Sequence, residues 1–144
     1  MFFKEQIKKR IKNEKGLTLI ELLAVIVILA IIAAIAIPAI GNIIQNSRDK
    51  SALSESLNII SGAKIAMMDN ACASKTECNG KELESFVDGI ELADTDIVKL
   101  VSNEYYIQYS KIDAIDTNSK FKPSKVDKQG YKEADIKEKL DKKD

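Results

Sequence analysis

The chain of 144 residues has no histidine and no tryptophan, and only two cysteines. Histidine is the commonest general base and the commonest metal ligand, so its absence removes the usual centre of acid–base and metal chemistry. Two cysteines without histidine count against a structural zinc site. No nucleophile–base set, metal-ligand cluster or phosphate-binding loop is legible, and no cofactor is expected. Catalysis is the function class these absences count against first. Net charge is absent as well, with 22 Lys/Arg against 22 Asp/Glu. That zero conceals two opposite segments. Residues 1–16 hold Lys4, Lys8, Lys9, Arg10, Lys12 and Lys15 against Glu5 and Glu14, a net charge of +4. The remaining residues hold 16 basic and 20 acidic side chains, a net charge of −4.

Polarity is what residues 22–40 lack. This run, LLAVIVILAIIAAIAIPAI, has 19 residues and no charged or hydrogen-bonding side chain. As a helix it spans roughly 28 Å, about one hydrocarbon core. Apolar residues fall on every side, so it is not an amphipathic surface helix. The basic segment before it predicts a cytoplasmic N-terminus, with the residues after 40 outside. Two residues do not fit a plain anchor. Glu21 borders the run, and a carboxylate on a membrane helix costs about 2.5–3.5 kcal/mol at the bilayer centre and less near the interface. Pro38 removes a backbone donor late in the run and is expected to kink or loosen the helix, with Gly41 adding to the weakness. Three plainer readings compete: a single-span anchor with Glu21 merely interfacial, a secretory signal cut near Ala34-Ile35-Ala36, and a buried core helix. The apolar run continues past that triplet and an acidic residue opens it, which counts against the signal peptide. The length of the run counts against the buried helix.

The segment Lys15-Gly16-Leu17-Thr18-Leu19-Ile20-Glu21-Leu22 resembles the processing site of type IV prepilins and pseudopilins. In that family a short basic leader ends in Gly, a membrane peptidase cuts after it, and the same enzyme methylates the new terminal amine. The family pattern also has Glu as the fifth mature residue and a proline about seventeen residues later. Counted from Leu17, Glu21 is fifth and Pro38 lies 17 beyond it. Leu17 departs from the more usual Phe or Met. The resemblance covers residues 1 to about 45. It implies cleavage between Gly16 and Leu17, N-methylation of Leu17, and assembly roles for Glu21 and Pro38. It also implies the partners: other pilin subunits, the prepilin peptidase/N-methyltransferase, and an inner-membrane assembly platform. Cleavage before Leu17 creates a cationic amine at the membrane edge, and methylation keeps its charge. Glu21 of the same or a neighbouring copy can pair with it, and in low dielectric a paired charge is far less costly than a lone one. Glu21 is therefore expected to guide assembly and not to catalyse.

Beyond Gly41 the pattern becomes amphipathic. Leu53, Leu57, Ile60, Ala63 and Met67 recur at three- and four-residue steps, which predicts that the helix continues to about Asp69 with one apolar face. Cys72 and Cys78 enclose a short polar loop. Outside the membrane they are expected to form a disulfide, the alternatives being two free thiols or half a metal site. Residues 81–87 read as a short helix ending near Gly89. Residues 97–101 are a short apolar segment of open type. Residues 104–112, rich in Tyr and Ile, read as a strand. Residues 112–116 are a candidate second strand, and Lys125 and Val126 the start of a third. Tyr105, Tyr106 and Tyr109 read first as cross-strand packing, with a binding surface as the alternative. Residues 117–130 read as a loop. Lys120, Lys122, Lys125 and Lys128, with Phe121 between them, are the one candidate nucleic-acid patch. The acidic balance of the mature chain counts against it, and a solvated loop is the plainer reading. The charged segment from residue 131 is read as an exposed helix or a disordered tail.

The expected fold class is α+β: a long N-terminal helix, transmembrane in its first half, packed against a small antiparallel sheet head. The expected division is a cleaved leader over 1–16, a membrane and filament-core helix over 17–41, its amphipathic half over 42–70, a disulfide-containing head over 71–130, and a charged tail over 131–144. The head is too small for a large core of its own and should lean on Leu53, Leu57 and Ile60. The expected function is a structural filament subunit, inserted as a single-span precursor and then displayed at the cell surface. The rival is a membrane-tethered binding protein that never polymerises. Within the filament class, a pseudopilin of a secretion or DNA-uptake machine is the alternative, and only there would nucleic acid be a partner.

Overall fold

The computed structural model describes the backbone of residues 2–143 and the side chains of residues 18–143. Helix α1 runs from Phe2 to Met68, and Pro38 lies inside it without ending it. Pro38 has no N–H to give the carbonyl of Ala34, so the ladder is weakened at that turn although the helix continues. The chain divides into two compact units, Met1–Ile44 and Gln45–Asp144.

In the first unit every large apolar side chain from Leu19 to Ile44 is exposed, sixteen in all. By length and composition the segment can cross a membrane, and none of its most apolar window is buried. Each such side chain left in water forgoes about 1.5–3 kcal/mol. A helix apolar on all sides has no face to turn toward a core of its own.

The second unit is built on the last third of α1. Ala52, Leu53, Ile59, Ile60, Ala63, Ala66 and Met67 are buried. Leu57 sits at the edge of that face and is only partly buried. The helix stops because Asn70 adopts φ 55°, a left-handed conformation that asparagine tolerates. Asn70 N–H then donates to Met67 O at 3.3 Å and Ala71 N–H to Ala66 O at 2.9 Å, the paired bonds of a Schellman cap.

The sheet comprises β1 (Glu77–Asn79), β2 (Ile97–Val101), β3 (Glu104–Gln108), β4 (Lys125–Val126) and β5 (Gly130–Lys132), all paired antiparallel in the order β1-β2-β3-β5-β4. Its register aligns Cys78, Val98, Ile107 and Tyr131 in one row across four strands. All four are 0–1% exposed, so this row is the sheet's contribution to the core. The β2–β3 hairpin closes through Ser102 and Asn103, with φ 49° and 66°. Positive φ at both central residues is the type I′ geometry whose twist matches the flanking strands. Gly62 marks a close approach of α1 to the chain after α2 (Gly80–Leu83). A Cβ there would lie 2.7 Å from Val87 Cγ2 and 2.8 Å from Phe86 O.

Three short helices complete the unit: α2 (Gly80–Leu83), α3 (Ser110–Asp113) and α4 (Glu133–Leu140). Several expectations need correction. The helix expected over residues 81–87 begins at Gly80 and ends at Leu83, where turns take over. The strand expected over 104–112 stops at Gln108, and residues 112–116 form no strand but the end of α3 and the bend after it. The cause is non-local. The Asp96 carboxylate accepts the Ser110 N–H at 3.0 Å, turning the chain so that Tyr109, Ile112 and Ile115 point into the core at helical spacing. Lys125 and Val126 do form a strand, so residues 117–130 are not wholly a loop. From residue 131 the chain completes β5 and then forms α4 as far as Leu140, with Tyr131 and Ile136 buried.

Candidate functional site

Gly16 and Leu17 lie on α1, and their side chains fall outside the described residues, as do those of the leader before them. Glu21 is on the same helix and exposed. Among the described residues it has no hydrogen-bond or ion-pair partner, so any counter-charge must come from elsewhere. Pro38 is exposed in the same unit.

Cys72 and Cys78 belong to the other unit and form a disulfide with Cα atoms 5.2 Å apart. The bridge ties the segment after α1 to the edge strand β1. Glu82 reinforces it. One of its carboxylate oxygens accepts Ala73 N–H at 2.8 Å and the other accepts Asn79 N–H at 3.0 Å. Asn79 in turn caps α2 by accepting Glu82 N–H at 3.0 Å, a reciprocal capping box. The two sulfurs and the Glu82 carboxylate lie close together. With the sulfurs bonded to one another, neither is a thiolate ligand. Sequence reading passed over Glu82, although Asn79-x-x-Glu82 is the local signature of such a box.

Each candidate cluster in the head is held by internal contacts. Tyr109 O–H donates to Glu55 Oε2 at 2.6 Å, and Lys111 Nζ meets the same oxygen at 2.7 Å. Burial pushes the Glu55 carboxyl up, but Lys111 and Tyr109 outweigh it and hold it below the usual carboxylate range. Burial, then Glu55, pushes the Tyr109 hydroxyl well up. Tyr105 packs under Lys64, whose Nζ is 4.6 Å from the ring centre, and Tyr106 donates to Glu104 at 3.2 Å. These tyrosines are packing residues of the second unit. The lysine stretch is similarly engaged. Lys122 donates to Ile112 O at 2.7 Å and Asp113 O at 3.0 Å, closing the end of α3. Lys125 and Tyr131 share Asp113 Oδ1, each at 2.7 Å. Lys120 donates to Lys143 O at 3.2 Å. Lys128 is exposed and, among the described residues, is the one lysine of the four without a side-chain partner.

Two buried carboxylates were not foreseen. Asp96 organises the start of α3 and also accepts Ala93 N–H at 2.8 Å. Asp49 accepts from Gln45 at 2.9 Å and from Ser119 at 2.6 Å, joining α1 to the loop before β4. Each also has a partner close in sequence, but the contacts that tie them into the fold span 14 and 70 residues, and no local pattern announces those.

The profile of the prokaryotic N-terminal methylation motif matches residues 11–37. Comparison with curated proteins and with solved structures gives no match. The matched stretch contains Gly16, Leu17 and Glu21 and ends one residue before Pro38. The chain thus carries the cleavage and methylation signal of type IV prepilins, at the head of an α+β architecture of pilin type.

Proposed function

We propose that this protein is a structural subunit of a type IV pilus or pilus-like filament. It is inserted as a single-span precursor, cut after Gly16 and methylated on Leu17. It is then assembled through its N-terminal helix into a surface filament. The supporting observation is the conjunction of the methylation motif over residues 11–37 with sixteen uncovered aliphatic side chains between Leu19 and Ile44. In the precursor, lipid covers those side chains. In a filament, the helices of other copies do. The folded second unit remains outside, presented on the same helix.

In this reading Glu21 is an assembly residue. Its carboxylate takes the methylated amine of Leu17, from its own or a neighbouring copy, as partner. Pro38 loosens one turn so that the helix can adapt its packing. The partners are other pilin subunits, the peptidase/N-methyltransferase and the membrane assembly platform. The protein serves as scaffold and not as enzyme.

The test is the intact mass of the protein from cells that express a prepilin peptidase. Loss of residues 1–16 with one added methyl group is expected. An unprocessed N-terminus would instead identify a plain anchor, and a cut near Ala36 a secreted protein. Glu21→Ala is expected to be exported and processed but to build no filaments; normal filaments from it would remove the assembly role.

A further inference from the structure

Most charged side chains that bear on the second unit's core are internally matched. Arg48 is an exception. It is exposed on α1 and has no ion-pair or hydrogen-bond partner among the described residues. It borders a groove of about 350 Å³ between α1 and the α3 segment, floored by Ala52 and Ile115 and flanked by Asp49, Glu55 and Lys111. The formal charge of these side chains cancels, but the charge they present does not. Asp49 is only 3% exposed and already accepts two hydrogen bonds. Glu55 is committed to Tyr109 and Lys111, and its side chain is 26% exposed against 50% for Lys111. Lys111 is equally committed to Glu55, so the groove offers one charge without a partner among the described residues, the Arg48 guanidinium, beside an apolar floor.

The complementary surface is on the same unit. Glu84, Asp88, Glu91 and Asp94 lie in the loop between α2 and β2, all exposed and, among the described residues, without partners. This loop touches α1 at Gly62 through Phe86 and Val87. About 21 Å of helix separates Arg48 from Gly62. The cationic groove and the acidic loop thus sit at different levels along one helix. A surface that pairs with a different surface on the next copy makes a heterologous contact, and such contacts build open filaments when the rotation does not close.

Resting on the filament reading above, we propose that the α1–α3 groove receives the acidic 84–94 loop of a second copy, with Arg48 as its principal anchor. Arg48 binds a carboxylate of the incoming loop, and Ala52 and Ile115 cover its aliphatic stem. The match of charge selects the offset between successive copies.

The experiment is a charge reversal in the full-length protein, in cells where the wild type is processed and builds filaments. Arg48→Glu, and separately the fourfold reversal E84K, D88K, E91K and D94K, are each expected to lower filament yield by about tenfold or more. Leader removal by intact mass and the thermal unfolding of the second unit should stay as in the wild type. Combining both sets should restore filaments. Unchanged yield from Arg48→Glu overturns the proposal. So does an Arg48→Glu defect that the reversed loop fails to rescue, because it assigns the groove to some other anionic occupant. Arg48→Gln, which removes charge without reversing it, should fall between wild type and Arg48→Glu, and wild-type yield from it also counts against the proposal. A wild type that keeps its leader would sink the filament reading itself, a result separable from failure of the groove alone.

Discussion

Two stretches of α1 meet opposite demands with the same secondary structure. Between Leu19 and Ile44 its large aliphatic side chains are 47–73% exposed. From Ala52 to Met67 the residues of one face are at most 8% exposed, while Ser51, Ser54, Asn58 and Ser61 look outward. Hydrophobic content does not separate an anchor from a core helix; its distribution around the axis does. An all-round apolar surface requires a partner on every side, which lipid or several neighbouring helices can supply. A one-faced surface requires only a single sheet. Under the filament reading, insertion falls to the first stretch and support of the folded unit to the second.

The most direct way to break this contrast is to shorten one aliphatic side chain in each stretch. Ile60 is 0% exposed and Ile28 is 56% exposed. Ile60→Ala should destabilise the second unit by about 2–5 kcal/mol, the transfer cost plus the cavity. Ile28→Ala should leave the same unfolding transition unmoved. Denaturant midpoints followed by circular dichroism in detergent micelles would measure both. Equal shifts would mean that the first stretch contributes to the folded core after all.

Sequence legibility divides along the same line. The first stretch is readable because its information is local: the run over 22–40, the five-residue count from Leu17 to Glu21 and the further step to Pro38 all lie on one continuous helix. The face through Leu53, Ile60, Ala63 and Met67 is readable because 3.6-residue periodicity persists for several turns. The sheet is less so. Strands β1, β4 and β5 have two or three residues each, too few for alternation to show. The β2–β3 turn uses Ser102-Asn103, not the Asn-Gly that marks such hairpins most clearly. Tyr109 follows β3 without continuing it because Asp96, distant in sequence, captures the next amide. The disulfide loop is legible from spacing, whereas the Arg48 groove is not, because one of its walls comes from α3.

A second, smaller effect should come from the disulfide, where α1 gives way to the sheet. In the chain-entropy account, closing a loop this short contributes about 2 kcal/mol. Cys72→Ser with Cys78→Ser should therefore lower the denaturant midpoint of the second unit, less than Ile60→Ala does. Membrane association, which the proposed function assigns to residues 19–44, should not change. Glu82→Gln in the disulfide-bonded protein should cost less still, because an amide oxygen can retain only one of the two N–H contacts at Ala73 and Asn79. A double-serine variant as stable as wild type would show that the capping box and the Cys78–Val98–Ile107–Tyr131 row hold β1 unaided.

The smallest expected effect is that of pH, and its sign follows from the charges of the second unit. Burial pushes the carboxyls of Glu55, Asp113 and Glu133 up, but their bonds to Lys111 and Tyr109, to Lys125 and Tyr131, and to Lys137 and Lys64 hold each below its ordinary value. A folded-state value below the unfolded one stabilises fully above the unfolded carboxyl range, roughly pH 4–4.5, and the gain disappears as pH falls through the folded values. These pairs are largely solvent-screened, so each is worth under about 1 kcal/mol. Burial and the adjoining carboxylates push Tyr109 and Tyr131 up, so their contribution is complete below about pH 10 and is lost above it. With no histidine in the chain, no side chain of ordinary pKa titrates between these limits. Thermal unfolding of the second unit should therefore be flat from about pH 5 to pH 9 and should decline below pH 4.5. Tyr109→Phe should shrink that acid decline by releasing the Glu55 carboxyl toward its ordinary value, and a slope in the middle range would show that some group outside these pairs governs the fold.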